Sequence, residues 1–123
     1  TVMNDLDSRL ARVLAHIDAH LDERLTARAL APIAWMSASR LEPLFRETIG
    51  RSLGRHIRER RIEAAARALR ETEAPLQAIA LASGFYDQAH FCRVFKSARH
   101  ATPREYRYHT RAHGDRTSHR HGG

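Results

Sequence analysis

The sequence has one cysteine, four prolines, six glycines and few aromatic residues, at 7% of the chain. A single cysteine excludes a disulfide framework and any cysteine-based zinc site, and it fits a reducing compartment. The longest apolar run, residues 29–36, is far shorter than the roughly 20 residues that a membrane span needs. No signal peptide is visible at the start. A disulfide-rich secreted domain and a membrane-spanning protein are therefore not expected.

Positive charge is what the chain has in excess. Its 123 residues include 21 Lys and Arg against 14 Asp and Glu, for a net charge of +7. Most of the cations are arginines, which fork onto phosphate and guanine. This balance indicates an anionic partner, such as nucleic acid, or else a merely solubilising helix face. At this length we expect one small domain or two subdomains that share an element.

Apolar residues recur at helical spacing along the chain, and no strand-like alternation stands out, so the predicted fold class is all-α. Seven helices are predicted: residues 5–20, Thr26 to Ala34, Ser37 to Gly50, Ser52 to about Thr72, Pro75 to Ser83, Asp87 onward, and Thr102 to about His109. Serine, threonine and aspartate cap helix starts, and Thr102-Pro103-Arg104-Glu105 forms a capping box. Residues 110–123 lack apolar periodicity and are predicted to be a disordered tail.

The third predicted helix repeats as the sixth at an offset of 50 residues. The matched pairs are Ser37 with Asp87, Leu41 with Phe91, Leu44 with Val94, Phe45 with Phe95, and Arg46 with Lys96. Upstream, Leu30-Ala31 matches Ile79-Ala80. A short helix, a tight turn and a capped helix form the helix-turn-helix pattern. Matching caps and anchors make a chance match in a generic helical bundle the weaker interpretation.

This repeat divides the chain into an N-terminal helix-turn-helix subdomain at 5–50, a linker helix at 51–72 and a C-terminal helix-turn-helix subdomain at 73–109. A linker of roughly 20 residues spans about 30 Å. Major-groove openings on one side of B-DNA are about 34 Å apart. We therefore expect two unlike recognition helices to enter adjacent major grooves, at a site that need not be palindromic.

Several motifs resemble the AraC/XylS family of bacterial transcription regulators over about residues 10–108. They are Leu30-Ala31, Gly50-Arg51-Ser52, Arg61-Ile62, Ile79-Ala80, Gly84-Phe85-x-Asp87-Gln88, Phe91-x-Arg93-x-Phe95-Lys96 and Thr102-Pro103-x-x-Tyr106-Arg107. The resemblance implies a seven-helix, double helix-turn-helix DNA-binding domain. It also implies a cytoplasmic, nucleoid-associated regulator that activates transcription through contacts with RNA polymerase.

The first copy departs from the family pattern. Trp35 stands where the family has a turn glycine, and Glu42 and Pro43 lie within the first recognition helix. We therefore expect the second helix-turn-helix to be the main reader of bases and the first to grip the DNA backbone. Trp35 and Met36 are expected in the core.

The outward faces of the two recognition helices supply the candidate site. The predicted base-reading residues are Ser39, Arg40, Glu42, Gln88, His90, Cys92 and Arg93. Arginine pairs with guanine, glutamine with adenine, and a carboxylate with the cytosine amino group. The predicted phosphate contacts are Ser37, Arg46, Asp87 and Lys96. At Ser37 and Asp87, free backbone N–H groups at the helix start suit a phosphate.

Two other classes of function remain open. A basic protein-interaction module would bind an acidic partner such as a polymerase subunit. A small metal-dependent enzyme or sensor would use the histidines of the tail, His109, His113, His119 and His121, but no carboxylate or cysteine completes such a site. We expect double-stranded DNA as the partner, no membrane, no metal, no cofactor and no enzymatic activity. No effector pocket is evident, so regulation by abundance and a sensor domain before Thr1 are both compatible with the sequence.

Overall fold

The computed structural model describes the backbone of residues 5–122 and the side chains of residues 5–112. The described backbone forms seven α-helices and one 3₁₀ turn, without strands, as the sequence predicts. The helices are α1 (Asp5–Ala19), α2 (Ala27–Leu30), α3 (Ala38–Ile49), α4 (Leu53–Glu71), α5 (Leu76–Ala82), α6 (Gln88–Arg99) and α7 (Pro103–Gly122), and the 3₁₀ turn (Ala31–Ala34) follows α2 directly.

Two compact units divide within α4, between Arg60 and Arg61. In the first unit, α1 packs against the 3₁₀ turn, and α2 packs against α3. Its core is apolar and draws on α1, α2, the 3₁₀ turn, α3 and the first half of α4. The buried members are Leu10, Val13, Ile17, Leu30, Ala31, Ala34, Leu41, Phe45, Leu53 and Ile57.

The second unit has its own aromatic core, in which α5 packs on α6 and α6 on α7. Phe91 lies between Phe85 and Phe95, with ring centroids 5.1 and 5.6 Å away. Tyr106 of α7 meets Phe95 edge-on at 5.2 Å. Burial of an aromatic side chain contributes about 1.5–3 kcal/mol to the free energy of folding. Because Phe91 and Phe95 lie on α6, their burial holds one face of this helix against the core.

Side-chain caps begin the helices where the sequence predicts them. Ser52 Oγ accepts from the Arg55 N–H at 3.2 Å and starts α4. The capping box closes in both directions, since Thr102 Oγ1 accepts from the Glu105 N–H at 3.1 Å and Glu105 Oε1 accepts from the Thr102 N–H at 2.8 Å. The Thr102 N–H bond, followed by the nearby Thr102 hydroxyl, lowers the pKa of the Glu105 carboxyl. Local sequence therefore sets where these helices start.

The last helix differs from its prediction. The backbone of α7 stays helical to Gly122, whereas a disordered tail was expected from residue 110. Thr110 donates to the Tyr106 carbonyl at 2.7 Å, and Arg111 donates to Thr72 O and to Glu73. Polar bonds, rather than apolar contacts, thus hold the helix around residues 110 and 111. The side chains of His113, His119 and His121 lie outside the described residues.

Trp35 is not in the core, so that prediction is wrong. Its side chain is 75% exposed, while Met36 packs against the core of the first unit. Trp35 ends the 3₁₀ turn in the left-handed region at φ 57° and ψ 44°. A residue with a Cβ pays about 1–2 kcal/mol there. The left-handed turn directs the indole outward.

His56 is the buried histidine of the first unit, at 8% exposure. Its Nδ1 accepts from Arg51 Nη2 at 2.9 Å, and its ring meets Phe45 edge-on at 5.4 Å. Burial and the Arg51 charge lower the pKa of His56, with a smaller lowering from Arg60 and an opposing effect from Asp18. The neutral ring is therefore the form that fits the fold.

We expect the first unit to lose stability as the pH falls below about 6.5, the ordinary histidine value. Below that pH the unfolded chain binds a proton that the folded chain resists, so unfolding becomes more favourable. Thermal unfolding between pH 8 and 5 measures the effect, and His56→Gln should flatten the pH dependence. His109→Gln, at an exposed position, is the control. Equal pH slopes for His56→Gln and the wild type would contradict the assignment.

Candidate nucleic-acid interface

The outward face of α3 is formed as predicted. Ser37 Oγ caps the helix by accepting from the Arg40 N–H at 3.3 Å, and Gly50 ends it in the left-handed region at φ 94°. Leu41 and Phe45 are fully buried, which leaves the opposite face open to solvent. That face carries Ser39, Arg40, Glu42, Pro43 and Arg46, all of them exposed. The helix continues through Pro43 to Ile49.

The outward face of α6 is equivalent to that of α3. Asp87 Oδ1 accepts from the His90 N–H at 2.7 Å, and Phe91 and Phe95 anchor the inner face. Arg93 and Lys96 are exposed. His100 ends the helix at φ 61°, at the position that Gly50 occupies in the first copy. In both copies of the repeat, a side chain caps the start of the helix, and buried phenylalanine or leucine side chains hold its inner face.

The cations of these two faces are free to bind an anion. Within the described residues, the side chains of Arg40, Arg46, Arg93 and Lys96 form no hydrogen bond or ion pair. Other arginines are held by the fold: Arg9 donates to Ala34 O, Arg60 to Asp18, Arg70 to Tyr106, Arg99 to Glu63, and Arg107 to Leu69 O. Side chains without such a partner therefore include the four predicted contacts, and they also include Arg12, Arg24, Arg28, Arg55, Arg58 and Arg104.

The two faces differ in charge. Helix α3 contains two arginines and two glutamates, so it has no net charge. Helix α6 contains three cations and no carboxylate, although Arg99 is bound to Glu63 at 2.9 Å. Of the two faces, that of α6 therefore offers the stronger electrostatic attraction for a polyanion.

Three predicted base-reading residues on α6 are less open than Arg93. Gln88, His90 and Cys92 are half-buried. His90 packs edge-on to Phe85 at 5.8 Å, and its Nδ1 is buried without a hydrogen-bond partner. The His90 ring therefore packs within the second unit as well as facing outward.

The exposed aromatic residues near the two turns were missed by sequence reasoning. Trp35 lies two residues before the Ser37 cap, and Tyr86, 85% exposed, directly precedes the Asp87 cap. For Trp35, the sequence offers one sign of this exposure, because the residue stands where a turn glycine is expected. In the left-handed turn the Trp35 side chain lies outside the core, although apolar spacing places it inside.

Asp87 provides a prediction that separates capping from charge. Asp87→Asn keeps an N-cap acceptor, so stability should change little while affinity for all duplexes rises as a negative charge is removed. Asp87→Ala should cost about 1 kcal/mol of stability. Urea unfolding and a gel-shift titration measure the two effects. If Asp87→Asn weakens binding instead, the carboxylate itself contacts the DNA.

In the described part of the chain, no group of three or more His, Cys, Asp or Glu side chains is arranged to hold a metal ion. No helix among the same residues has the length and apolar character to cross a membrane.

Known proteins share this sequence pattern and this fold. A family model described as a helix-turn-helix domain matches residues 30–109, which is more than half of the chain. The regulatory protein SoxS of Escherichia coli K12 is 38% identical over 96 residues, covering 78% of this chain and 90% of SoxS. An uncharacterised HTH-type transcriptional regulator of Haemophilus influenzae is 35% identical over 101 residues. This chain spans 34% of that protein's length.

The solved structures agree with the sequence relatives. The DNA-binding domain of AdpA, a global transcriptional factor crystallised with a target DNA, superposes with a TM-score of 0.80 at 27% identity. The match covers 85% of this chain and 95% of that domain. The chain therefore belongs to the AraC/XylS-type helix-turn-helix family, a family of transcription regulators rather than of enzymes.

Proposed function

We propose that this chain binds double-stranded DNA sequence-specifically and regulates transcription. The observation that carries the proposal is the pair of equivalent capped helices, α3 and α6, whose exposed cations have no partner in the described chain. The AdpA domain supports the proposal because that relative was crystallised with its target DNA.

We assign base reading chiefly to Arg93 and Gln88 on α6 and to Arg40 on α3. Arg93 is exposed and unpaired, and a bidentate arginine–guanine pair contributes about 1–3 kcal/mol of discrimination. Ser39, Glu42, His90 and Cys92 complete the reading faces as secondary contacts.

Phosphate contact is assigned to Lys96 and Arg46, the matched cations of the repeat. The caps at Ser37 and Asp87 contribute through the backbone N–H groups of the first helical turn, which remain available to an anion. The side chains of both caps are used inside the protein.

The two recognition helices are proposed to enter successive major grooves. This part of the proposal rests on the length of α4, whose 19 residues span about 28 Å at about 1.5 Å per residue. The groove openings are about 34 Å apart. Because α3 and α6 differ in sequence and charge, the two half-sites should differ as well.

We further propose that the outcome is activation in the cytoplasm, through contact with RNA polymerase. The support is the family to which the chain belongs. The alternative is a protein-interaction module whose basic face binds an acidic partner. A salt titration distinguishes the two, since DNA binding through several phosphates falls steeply as salt rises.

Selection of bound sequences from a random duplex pool tests the proposal. We expect a long, asymmetric motif with two boxes about one helical turn apart. A motif with only one box would leave α6 as the single reader. Absence of enrichment, with weak and salt-insensitive binding, would refute sequence-specific recognition.

A further inference from the structure

The side chain of Trp35 is exposed and is not packed into the core of the first unit. Its indole is 75% exposed, and it makes no ring contact within the described residues. The residue also occupies a left-handed backbone conformation that favours glycine. A bulky side chain in a strained turn, without compensating packing, indicates a contact made in the bound state.

The backbone of this turn is held from two sides. Arg9 on α1 donates from Nε to Ala34 O at 2.6 Å and from Nη2 to Trp35 O. The Trp35 N–H donates to Pro32 O at 3.1 Å. The direction of the Trp35 Cα–Cβ bond is therefore fixed before any ligand arrives.

The turn lies beside the helix that is proposed to enter the groove. Trp35 is two residues before the cap Ser37, a chain distance of at most about 7 Å. Helix α3 has no net charge, so the first unit gains little from ionic attraction through this helix. An indole offers a flat apolar face and one N–H donor, which match a deoxyribose and a phosphate oxygen.

We propose that Trp35 is a DNA-backbone contact, in which the indole packs on a deoxyribose and Nε1–H donates to a phosphate beside the groove that α3 enters. This inference rests on the proposed DNA-binding function. A protein partner is the less suitable occupant, because Trp35 is the one exposed large hydrophobic residue among the described residues of the first unit. A single side chain does not form the apolar patch that protein docking uses.

Trp35 is the only tryptophan in the sequence, so its emission reports this turn alone. We expect emission of the wild type to change on adding a duplex. Trp35→Gly should bind specific and random duplexes about tenfold more weakly, which corresponds to one charge-assisted hydrogen bond. Its salt dependence should match that of the wild type, because no charge is lost. Its thermal midpoint should stay at or above the wild-type value, because the backbone strain is relieved.

Trp35→Phe is the matched variant, since it keeps a ring and removes the donor, and its loss of affinity should be intermediate. Unchanged emission at saturating duplex, or equal affinity for Trp35→Gly and the wild type, overturns the inference. Normal DNA binding by Trp35→Gly with lost capture of RNA polymerase also overturns it, in favour of a protein partner. If the wild type itself binds no duplex, the proposed function has failed, whereas loss confined to Trp35→Gly supports the contact.

Discussion

Arg93→Gln should lower affinity for the selected DNA site by about tenfold to a hundredfold and affinity for random duplex far less. The guanidinium is exposed, unpaired and on the open face of α6, where it can bond to guanine O6 and N7. Loss of that bidentate pair removes about 1–3 kcal/mol of discrimination. Competition binding with specific and random duplexes, at several salt concentrations, measures the effect.

Lys96→Gln is the matched control on the same face. It removes a charge that we assign to phosphate, so affinity for all sequences should fall about equally, and the salt slope should flatten by about one unit. Glutamine is a good helix former, so neither substitution should unfold α6. Equal losses on specific and random DNA for Arg93→Gln would remove Arg93 from the base-reading residues.

Phe91→Ala should reduce the free energy of unfolding by about 3–5 kcal/mol. The Phe91 side chain is fully buried and lies between Phe85 and Phe95 in the core of the second unit. Small domains are stable by about 5–15 kcal/mol in total, so this loss removes much of the margin. Urea unfolding followed by circular dichroism measures it, and sequence-specific binding should be lost in parallel because α6 is no longer held.

The control for Phe91→Ala is Tyr86→Ala, at an aromatic residue that is 85% exposed. Its stability should stay within about 0.5 kcal/mol of the wild type. A loss below about 1 kcal/mol for Phe91→Ala would mean that the second unit does not depend on its aromatic core.

Sequence patterns predicted the helices well because their signals are local. Serine, threonine and aspartate caps and three-and-four apolar spacing depend on residues within one or two turns, so α3, α4 and α6 begin where expected. The internal repeat likewise predicted which faces of α3 and α6 are exposed to solvent. The roles of individual residues on those faces stay predictions.

Tertiary contacts explain what the sequence did not predict. The exposure of Trp35 depends on the left-handed turn that follows the 3₁₀ segment, which periodicity does not encode. The bonds from Arg111 of α7 to Thr72 and Glu73 join residues that are far apart in sequence. His90 is half-buried and packs on Phe85, which lies in the loop between α5 and α6.

The grip of α7 on the end of α4 has a consequence for biosynthesis. Arg107 donates to the carbonyls of Leu69, Thr72 and Ala74, at 3.3, 3.2 and 2.9 Å. The carbonyls at a helix end have no partners within the helix. On the ribosome, Arg107 emerges 35 residues after Thr72, so these carbonyls gain their protein partner only late in synthesis, while the first unit has all its own core residues once Arg60 has emerged.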